Sequence, residues 1–503
     1  MTSMAAVRCV CVLLFIIATS KAATSPHIVF IAADDLGWND VGWHNPQMIT
    51  PNLDKLAKAG VILNSSYVAP LCTPSRSSFM TGMYAYHTGL QHMVIQPESP
   101  AYLPANFTTL PQKLKDQGYS THMIGKWHLG FCNWNYTPTF RGFDSFLGYY
   151  NGAEDYYTKK IRGGLLADGV DFRDDKQPKY TEEYSATVYA RRAVDIIKSH
   201  DQSKPLFLYL PFQSVHNPIQ VPKRYENMYP NIEDTQRRKY CGMVSAMDEA
   251  VGNITQALEE NGLMDNLLLV FTADNGGPTF AAANNLPLRG AKSTLWEGGT
   301  KGAAFVYSKT LLQKSGYENT EMIHASDWFP TFVRLAGGQA DSTIDGVDQW
   351  VTLSEGKTTQ RTEFIYNIDE VSENGAIRVG DMKLIEGSPG MFNGWYPLPR
   401  VTKEEADFPP ELLDMTDTSS DTYLYRLLKK HFNAVGSTEY RLFNISADPT
   451  EHFDLAEKYP DIVSQLKTTL DTYKKSLRPA FNPPSTYKAN PLFYGGLWSP
   501  GWC

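Results

Sequence analysis

The sequence predicts an α/β protein built on a mixed, mostly parallel sheet between helices, followed by a smaller antiparallel α+β unit. Three observations carry this reading. Apolar runs such as "HIVFIAADD" are near-continuous, as in strands buried on both faces. Helical patterns separate these runs, which is the grammar of β-α units, and each run ends in a polar tip. After about residue 360 the pattern changes to short strands joined by tight turns.

Taken in order, the first strand covers Ile28 to Ala33 and ends in Asp34-Asp35. "TPNLDKLAKAG" then reads as a helix. Thr50 is its N-cap, Pro51 its first residue, Leu53, Leu56 and Ala57 its apolar face, and Gly60 its stop. The runs in "YSTHMIGKWHLG", "KPLFLYLPFQSVHNP" and "NLLLVFTADNGG" repeat the strand logic and end at Lys126 with His128, at His216, and at Asp274-Asn275. Helices are expected over residues 182–199 and 240–261. Ligands of open parallel sheets bind beyond the carboxyl ends of the strands, so these tips belong together in space. In the later unit, "TEFIYNID" and "AIRVGDMKLIEG" predict strands, with Gly380-Asp381 as a hairpin turn, and "RLFNI" adds another. Ile462, Leu466, Leu470 and Tyr473 mark one face of a closing helix. The Asp-rich stretch at residues 403–421 reads as a surface excursion. The expected organisation is a leader at 1–22, a large α/β domain at 23–360 and a smaller α+β domain at 361–503.

With 503 residues, 42% apolar and 20% charged, the chain has the composition of a globular enzyme-sized molecule. Arg8, an apolar run over residues 9–18, and Ser20-Lys21-Ala22 form an export leader with cleavage expected after Ala22. No later run is long enough to span a bilayer, so a soluble protein of the secretory pathway, secreted or lysosomal, is expected. Five N-x-Ser/Thr sequons, at Asn64, Asn106, Asn135, Asn253 and Asn444, fit a glycoprotein. The formal net charge is −8, and loss of Arg8 and Lys21 makes it more negative, which excludes a basic nucleic-acid-coating surface. An anionic substrate would need a local cluster of cations.

Cys9 and Cys11 leave with the leader, so Cys72, Cys132, Cys241 and Cys503 remain, with three possible pairings. If Cys72 is reserved for chemistry, one of the other three is left over, and the sequence does not say which. Cys72 is followed by Thr73-Pro74-Ser75-Arg76, a turn, a helix start and a cation, which is not the setting of a structural disulfide. It lies just before a helix N-terminus, where backbone N–H groups favour an anion.

Asp34, Asp35, Asp274 and Asn275 offer three carboxylates and an amide oxygen at two strand ends, a set that suits a hard divalent cation such as Ca²⁺ or Mg²⁺. Either pair alone is equally a turn former. Arg76, Lys126, His128, His216 and Lys292 add cations to the same tier. A lone histidine is ordinarily a core or surface residue, and that reading is kept for His44, His87, His92, His122, His200, His324, His431 and His452.

Cys72-Thr73-Pro74-Ser75-Arg76 followed by Thr81-Gly82 resembles the Cys-x-Pro-x-Arg signature of type I sulfatases, and "GYSTHMIGKWHLG" resembles their second signature. The likeness runs over residues 28–473 through "GFDSFLGYYNGAEDYY", "VSAMDEAVGN", "LRGAKSTLWEGG" and "HASDWFPT", and is nearest to the arylsulfatase B, or N-acetylgalactosamine-4-sulfatase, type. The resemblance implies an alkaline-phosphatase-like fold and oxidation of Cys72 to formylglycine by a formylglycine-generating enzyme of the endoplasmic reticulum. The hydrated aldehyde would attack the sulfur of a sulfate ester, and its second hydroxyl would then allow the carbonyl to re-form and expel sulfate, an exit that serine lacks. Asp34, Asp35, Asp274 and Asn275 would hold one Ca²⁺, with position 72 adding an oxygen. Arg76 would orient the hydrate, while Lys126, His216 and Lys292 would bind sulfate oxygens. His128 would serve as the base of the release step, and His216 or Lys292 would protonate the leaving alcohol. Residues 93–107 lack cysteines that the arylsulfatase B pattern has, Cys241 is additional, and "GMFNGWYPLPR" matches only in part. Two other functions are weighed: a two-zinc phosphatase or phosphodiesterase on the same fold, against which the Cys-x-Pro-x-Arg stretch and the single oxygen-rich site speak, and a non-catalytic binder of sulfated glycans, against which the intact set Cys72, Arg76, Lys126, His128, His216 and Lys292 speaks.

Overall fold

A computed structural model describes residues 25–161, 166–396 and 439–503. The leader at 1–22 and the excursion at 403–421 lie outside the described residues.

His27–Ala33 is the centre of a ten-stranded sheet. It pairs in parallel with Leu206–Pro211 on one side and Leu267–Ala273 on the other. Ser120–Lys126 and Ser145–Tyr149 extend the parallel set beyond Leu206–Pro211. On the opposite side Ala304–Tyr307 joins antiparallel to Leu267–Ala273, and short strands close both edges. The central strand is fully buried, which is why its sequence is continuously apolar.

Alternate side chains of that strand feed two cores. Val29, Ile31 and Ala33 pack under the helices Ser185–Ser199 and Thr235–Glu260. Ile28, Phe30 and Ala32 pack against Phe79, Trp328 and Phe332 on the other face. The second of those helices begins five residues before the expected start, because the Asp234 side chain caps it by accepting from the Arg237 N–H. The polar first turn, Thr235 to Lys239, carries no apolar stripe and so gave no periodic signal.

Glu363–Asp369, Asn374–Val379, Met382–Glu386 and Tyr440–Asn444 form a separate antiparallel sheet. Its hairpin turns at Gly380, whose φ of 55° lies in the left-handed region glycine favours. Leu466 and Leu470 of the helix Pro460–Lys474 cover it, and Tyr67, Trp296 and Tyr84 join it to the larger sheet's loops. The last residues return to the large unit: Trp498 and Trp502 enter its core, and Cys503 is disulfide-bonded to Cys132. Cys72 and Cys241, both buried, lie outside that bond. Among the described residues no helix is long and apolar enough to cross a membrane.

Candidate active site

Strand register brings the predicted residues together. Ala33 is paired with Ala273, so the next residues, Asp34 and Asp274, emerge side by side; Asp274 N–H donates to the Ala33 carbonyl at 3.0 Å. Asp34 N–H donates to the Ser214 carbonyl at 3.0 Å, which ties in the segment carrying His216. Asp35 sits in a left-handed turn with φ 62°. Tyr240 holds that turn, donating its hydroxyl to the Asp35 carbonyl at 2.9 Å and accepting from Gly37 N–H. Gly276 permits a close approach of the Glu297–Thr300 turn, since a Cβ there would lie 1.8 Å from the Gly298 carbonyl oxygen.

Cys72 is fully buried in the first turn of the helix Cys72–Thr81, one residue inside it and not ahead of it as expected. Ligand atoms of Asp34, Cys72 and Asp274 lie within 4.8 Å of one another, as do those of Asp34, Asp35 and His216. One turn along the same helix, Arg76 points at the tips. Its Nε and Nη2 donate to Asp274 Oδ2 at 2.9 and 2.7 Å, and its Nη1 donates to the Lys126 carbonyl at 2.8 Å. Lys126 Nζ donates to Asp34 Oδ2 at 2.6 Å. Lys292 Nζ lies 2.7 Å from Asp35 Oδ1, and His216 Nε2 lies 3.4 Å from Asp35 Oδ2. All of these groups are buried.

The two histidines differ in their hydrogen bonding. His128, with φ 56°, donates Nε2–H to the Ile95 carbonyl at 2.9 Å, which leaves Nδ1 as the acceptor nitrogen of the neutral ring. His216 places Nδ1 2.7 Å from the Asn217 carbonyl while Nε2 faces Asp35. The Asn217 carbonyl fixes a hydrogen on Nδ1, so Nε2 is the nitrogen that faces the carboxylates.

The acidic set fits a hard cation. Asp34 Oδ1 and Asn275 Oδ1 are buried oxygens with no hydrogen-bond partner among the described residues, whereas Asn275 Nδ2 is turned away to Asp35 Oδ1 and the Gly276 carbonyl. Orphaned buried acceptors are costly, and two at adjacent tips match an oxygen-coordinated ion. Burial, then the neighbouring Asp274, pushes the Asp34 carboxyl up to about 6. Burial also acts on Asp35, but Lys292, His216 and Lys126 together outweigh it and hold that carboxyl below its ordinary value.

A family model described as Sulfatase matches residues 26–338. The chain belongs to the sulfatase family. It is 41% identical to arylsulfatase J of Mus musculus, over 96% of this chain and 81% of that protein. It is 27% identical to N-acetylgalactosamine-6-sulfatase of Homo sapiens, over 92% and 88% of the two. Among solved structures, Ps i-CgsB in complex with k-i-k-neocarrahexaose superposes with a TM-score of 0.75 at 25% identity, covering 91% of this chain and 94% of that one. The PsFucS1 sulfatase from Pseudoalteromonas sp. shares the fold with a TM-score of 0.70 at 22% identity, covering 92% of each chain. This sulfatase is therefore a sulfuric ester hydrolase with the fold class its sequence predicts.

Sequence reasoning missed the residues that act on backbone in this sulfatase. Tyr240 is one. Thr73 is another: its hydroxyl donates to the His128 carbonyl at 3.2 Å and accepts from Ile95 N–H at 3.3 Å. Spacing gives no signal for such contacts. Of the sequons, Asn106, Asn135 and Asn253 are exposed, and Asn64 and Asn444 are half-buried.

Proposed function

We propose that the chain hydrolyses sulfate esters with residue 72 as formylglycine and one Ca²⁺ beside it. The observation that supports this most is the convergence of Cys72, two orphaned oxygens and four cationic side chains at one set of strand tips. Asp34, Asp35, Asp274 and Asn275 would hold the ion, which when bound supplies positive charge that polarises a sulfate oxygen and favours a deprotonated hydroxyl at position 72. Formylglycine supplies a hydrated aldehyde, one hydroxyl to attack sulfur and a second through which sulfate is expelled.

The chain's own groups complete the reaction. The formal charges of Asp34, Asp35 and Asp274 are balanced by Arg76, Lys126 and Lys292, so a divalent ion leaves a surplus of positive charge that suits a sulfate group. Lys126 and Lys292 bind sulfate oxygens once released from their carboxylates. Arg76 fixes Asp274 and the Lys126 backbone, and so orients the group at position 72. His128 Nδ1 takes the proton of the second hydroxyl, and His216 Nε2 gives a proton to the departing alcohol oxygen.

The large α/β unit carries these groups; of the expected 361–503 domain, the strands from Glu363–Asp369 to Tyr440–Asn444 and the helix Pro460–Lys474 make the smaller unit, whereas Trp498, Trp502 and Cys503 belong to the large one. Passage through the endoplasmic reticulum brings the chain to the formylglycine-generating enzyme, to glycosylation at the five sequons, and then to the lysosome or the exterior. The relatives' printed names support sulfated sugars or aryl sulfates as substrates. Mass spectrometry of the peptide containing residue 72, from protein made in a eukaryotic secretory host, tests the reading. The expected result is an aldehyde, with turnover of an aryl sulfate above that of the matching aryl phosphate. An unmodified thiol, or a preference for phosphate, would overturn it.

A further inference from the structure

The helices Ser185–Ser199 and Thr235–Glu260 cover one face of the large sheet, and the seam between them is not filled on its outer side. A groove with a volume of about 360 Å³ runs along it, which falls in the range of about 300–1,000 Å³ for clefts that hold small organic ligands. Its floor is built at helical spacing from Ala246, Ala250 and Ala257 on one helix and Ala190 and Val194 on the other. Side chains this short do not fill the space between two packed helices.

Asn253 stands on the same stripe, seven residues after Ala246 and seven before Glu260, and both of those residues line the groove. Asn253-Ile254-Thr255 is one of the five sequons, and its asparagine is exposed, so a glycan attached there starts at the middle of the groove. Among the described residues, none that lines the groove belongs to the strand tips of the reaction centre.

The lining narrows the occupant. Arg191, Lys198 and Arg224 are set against Glu249 and Glu260, and Arg224 Nη2 donates to Glu249 Oε1 at 2.8 Å. Charges so nearly balanced give an anionic or cationic ligand little advantage over a neutral one. An apolar floor beneath a polar rim suits a neutral body with both kinds of surface. N-acetylglucosamine is such a body: its ring C–H groups and acetyl methyl cover apolar surface, while its hydroxyls and amide reach polar groups. Covalent attachment at Asn253 also holds the sugar at a high effective concentration over the floor.

We infer that this groove seats the Asn253 glycan, whose first two N-acetylglucosamines lie along the seam between the helices and are shielded there. The inference rests on the reading of Asn253 as a glycosylated sequon and is independent of the reaction proposed at residue 72.

The test uses the full chain from a eukaryotic secretory host whose mannose trimming is blocked, so that occupied sequons carry high-mannose glycans. Endoglycosidase H cuts between the two core N-acetylglucosamines, and peptide mass spectrometry follows the cut at each site. In the folded protein the cut at Asn253 is expected to be at least about tenfold slower than at the exposed Asn106 and Asn135, and as fast as theirs after denaturation. Ala190→Leu fills the groove from the facing helix without touching the sequon, and is expected to bring the Asn253 rate to within about twofold of the other two. Asn253→Gln uncovers the floor and is expected to lower the midpoint of thermal unfolding by about 1–2 °C more than Asn106→Gln does. A glycan at Asn253 that is cut as fast as the others, or one still cut slowly in Ala190→Leu, would overturn the inference, leave the groove to another occupant and keep the glycosylation reading. If Ala190→Leu is not secreted, equal midpoints for Asn253→Gln and Asn106→Gln overturn it instead. An Asn253 without glycan would end the reading of that sequon and the inference with it.

Discussion

Arg76 places two of its nitrogens on a single oxygen of Asp274, Nε at 2.9 Å and Nη2 at 2.7 Å from Oδ2. The other oxygen, Oδ1, is left toward the Asp35 backbone N–H at 3.4 Å, the side on which the proposed ion would sit. A planar fork can do this and a point-charge ammonium cannot. Arg76→Lys is therefore expected to lower kcat by roughly a hundredfold, because Asp274 and the Lys126 carbonyl lose their shared anchor. Breaking a fully buried ion pair also costs about 3–5 kcal/mol, which a fall in the urea midpoint at unchanged m-value measures.

Cys72 is buried on the first turn of its helix, so replacing its sulfur with oxygen leaves the fold in place. In the proposed reaction serine can attack sulfur but has no second hydroxyl through which to release sulfate. Cys72→Ser should give at most one turnover per site, with steady-state activity down by roughly three orders of magnitude and a retained sulfo group visible in the intact mass. Cys72→Ala should bind without reacting. Multiple turnover in either variant would sink the mechanism.

A third prediction concerns pH. Lys383 Nζ sits between Glu297 Oε1 at 3.0 Å and Glu451 Oε1 at 2.7 Å, fastening the Glu297–Thr300 turn near Lys292 to the antiparallel sheet. Burial, and then Glu297 against the opposing pull of Lys383, pushes Glu451 up to about 7. Its folded value exceeds its unfolded one, so between about pH 4.5 and 7 the folded state binds the extra proton and stability falls as pH rises. The contribution is complete below that window and lost above it, on the order of 3 kcal/mol across it. Glu451→Gln, which mimics the protonated form, should flatten the stability profile in this range and raise stability at neutral pH, read by urea unfolding at a series of pH values.

The tips were legible because a buried parallel strand must be apolar until it leaves the sheet, so the change from Ala33 to Asp34, or from Ala273 to Asp274, is printed in the chain. Cys72 and Arg76 were legible as one short motif, although Cys72 was expected just ahead of the helix and lies in its first turn. The hairpin at Gly380 was legible from its turn residues. What stayed hidden was long-range and directed at backbone or buried charge. Tyr240 reaches across 205 positions to Asp35, and nothing local in the sequence marks Glu297, Lys383 and Glu451 as a group that the fold buries together. The Cys132–Cys503 bond spans 371 positions, and no local pattern favours that pairing over one with Cys241.

The orphaned oxygens of Asp34 and Asn275 give the last prediction. An ion that binds the folded chain and not the unfolded one stabilises it by mass action, by about 2.7 kcal/mol when calcium is a hundredfold above its dissociation constant. Calcium should therefore raise the midpoint of thermal unfolding and a chelator should lower it, in protein whose residue 72 is modified or unmodified alike. Asp34→Asn removes the charge but keeps an oxygen of similar shape. It also leaves the buried Lys126 ammonium without its carboxylate, so without calcium this variant should be less stable than the parent. With calcium it should gain little, because one of three carboxylate ligands is gone. A calcium response equal to that of the parent would place the ion elsewhere, and no response in the parent would leave the two buried oxygens without the partner proposed for them.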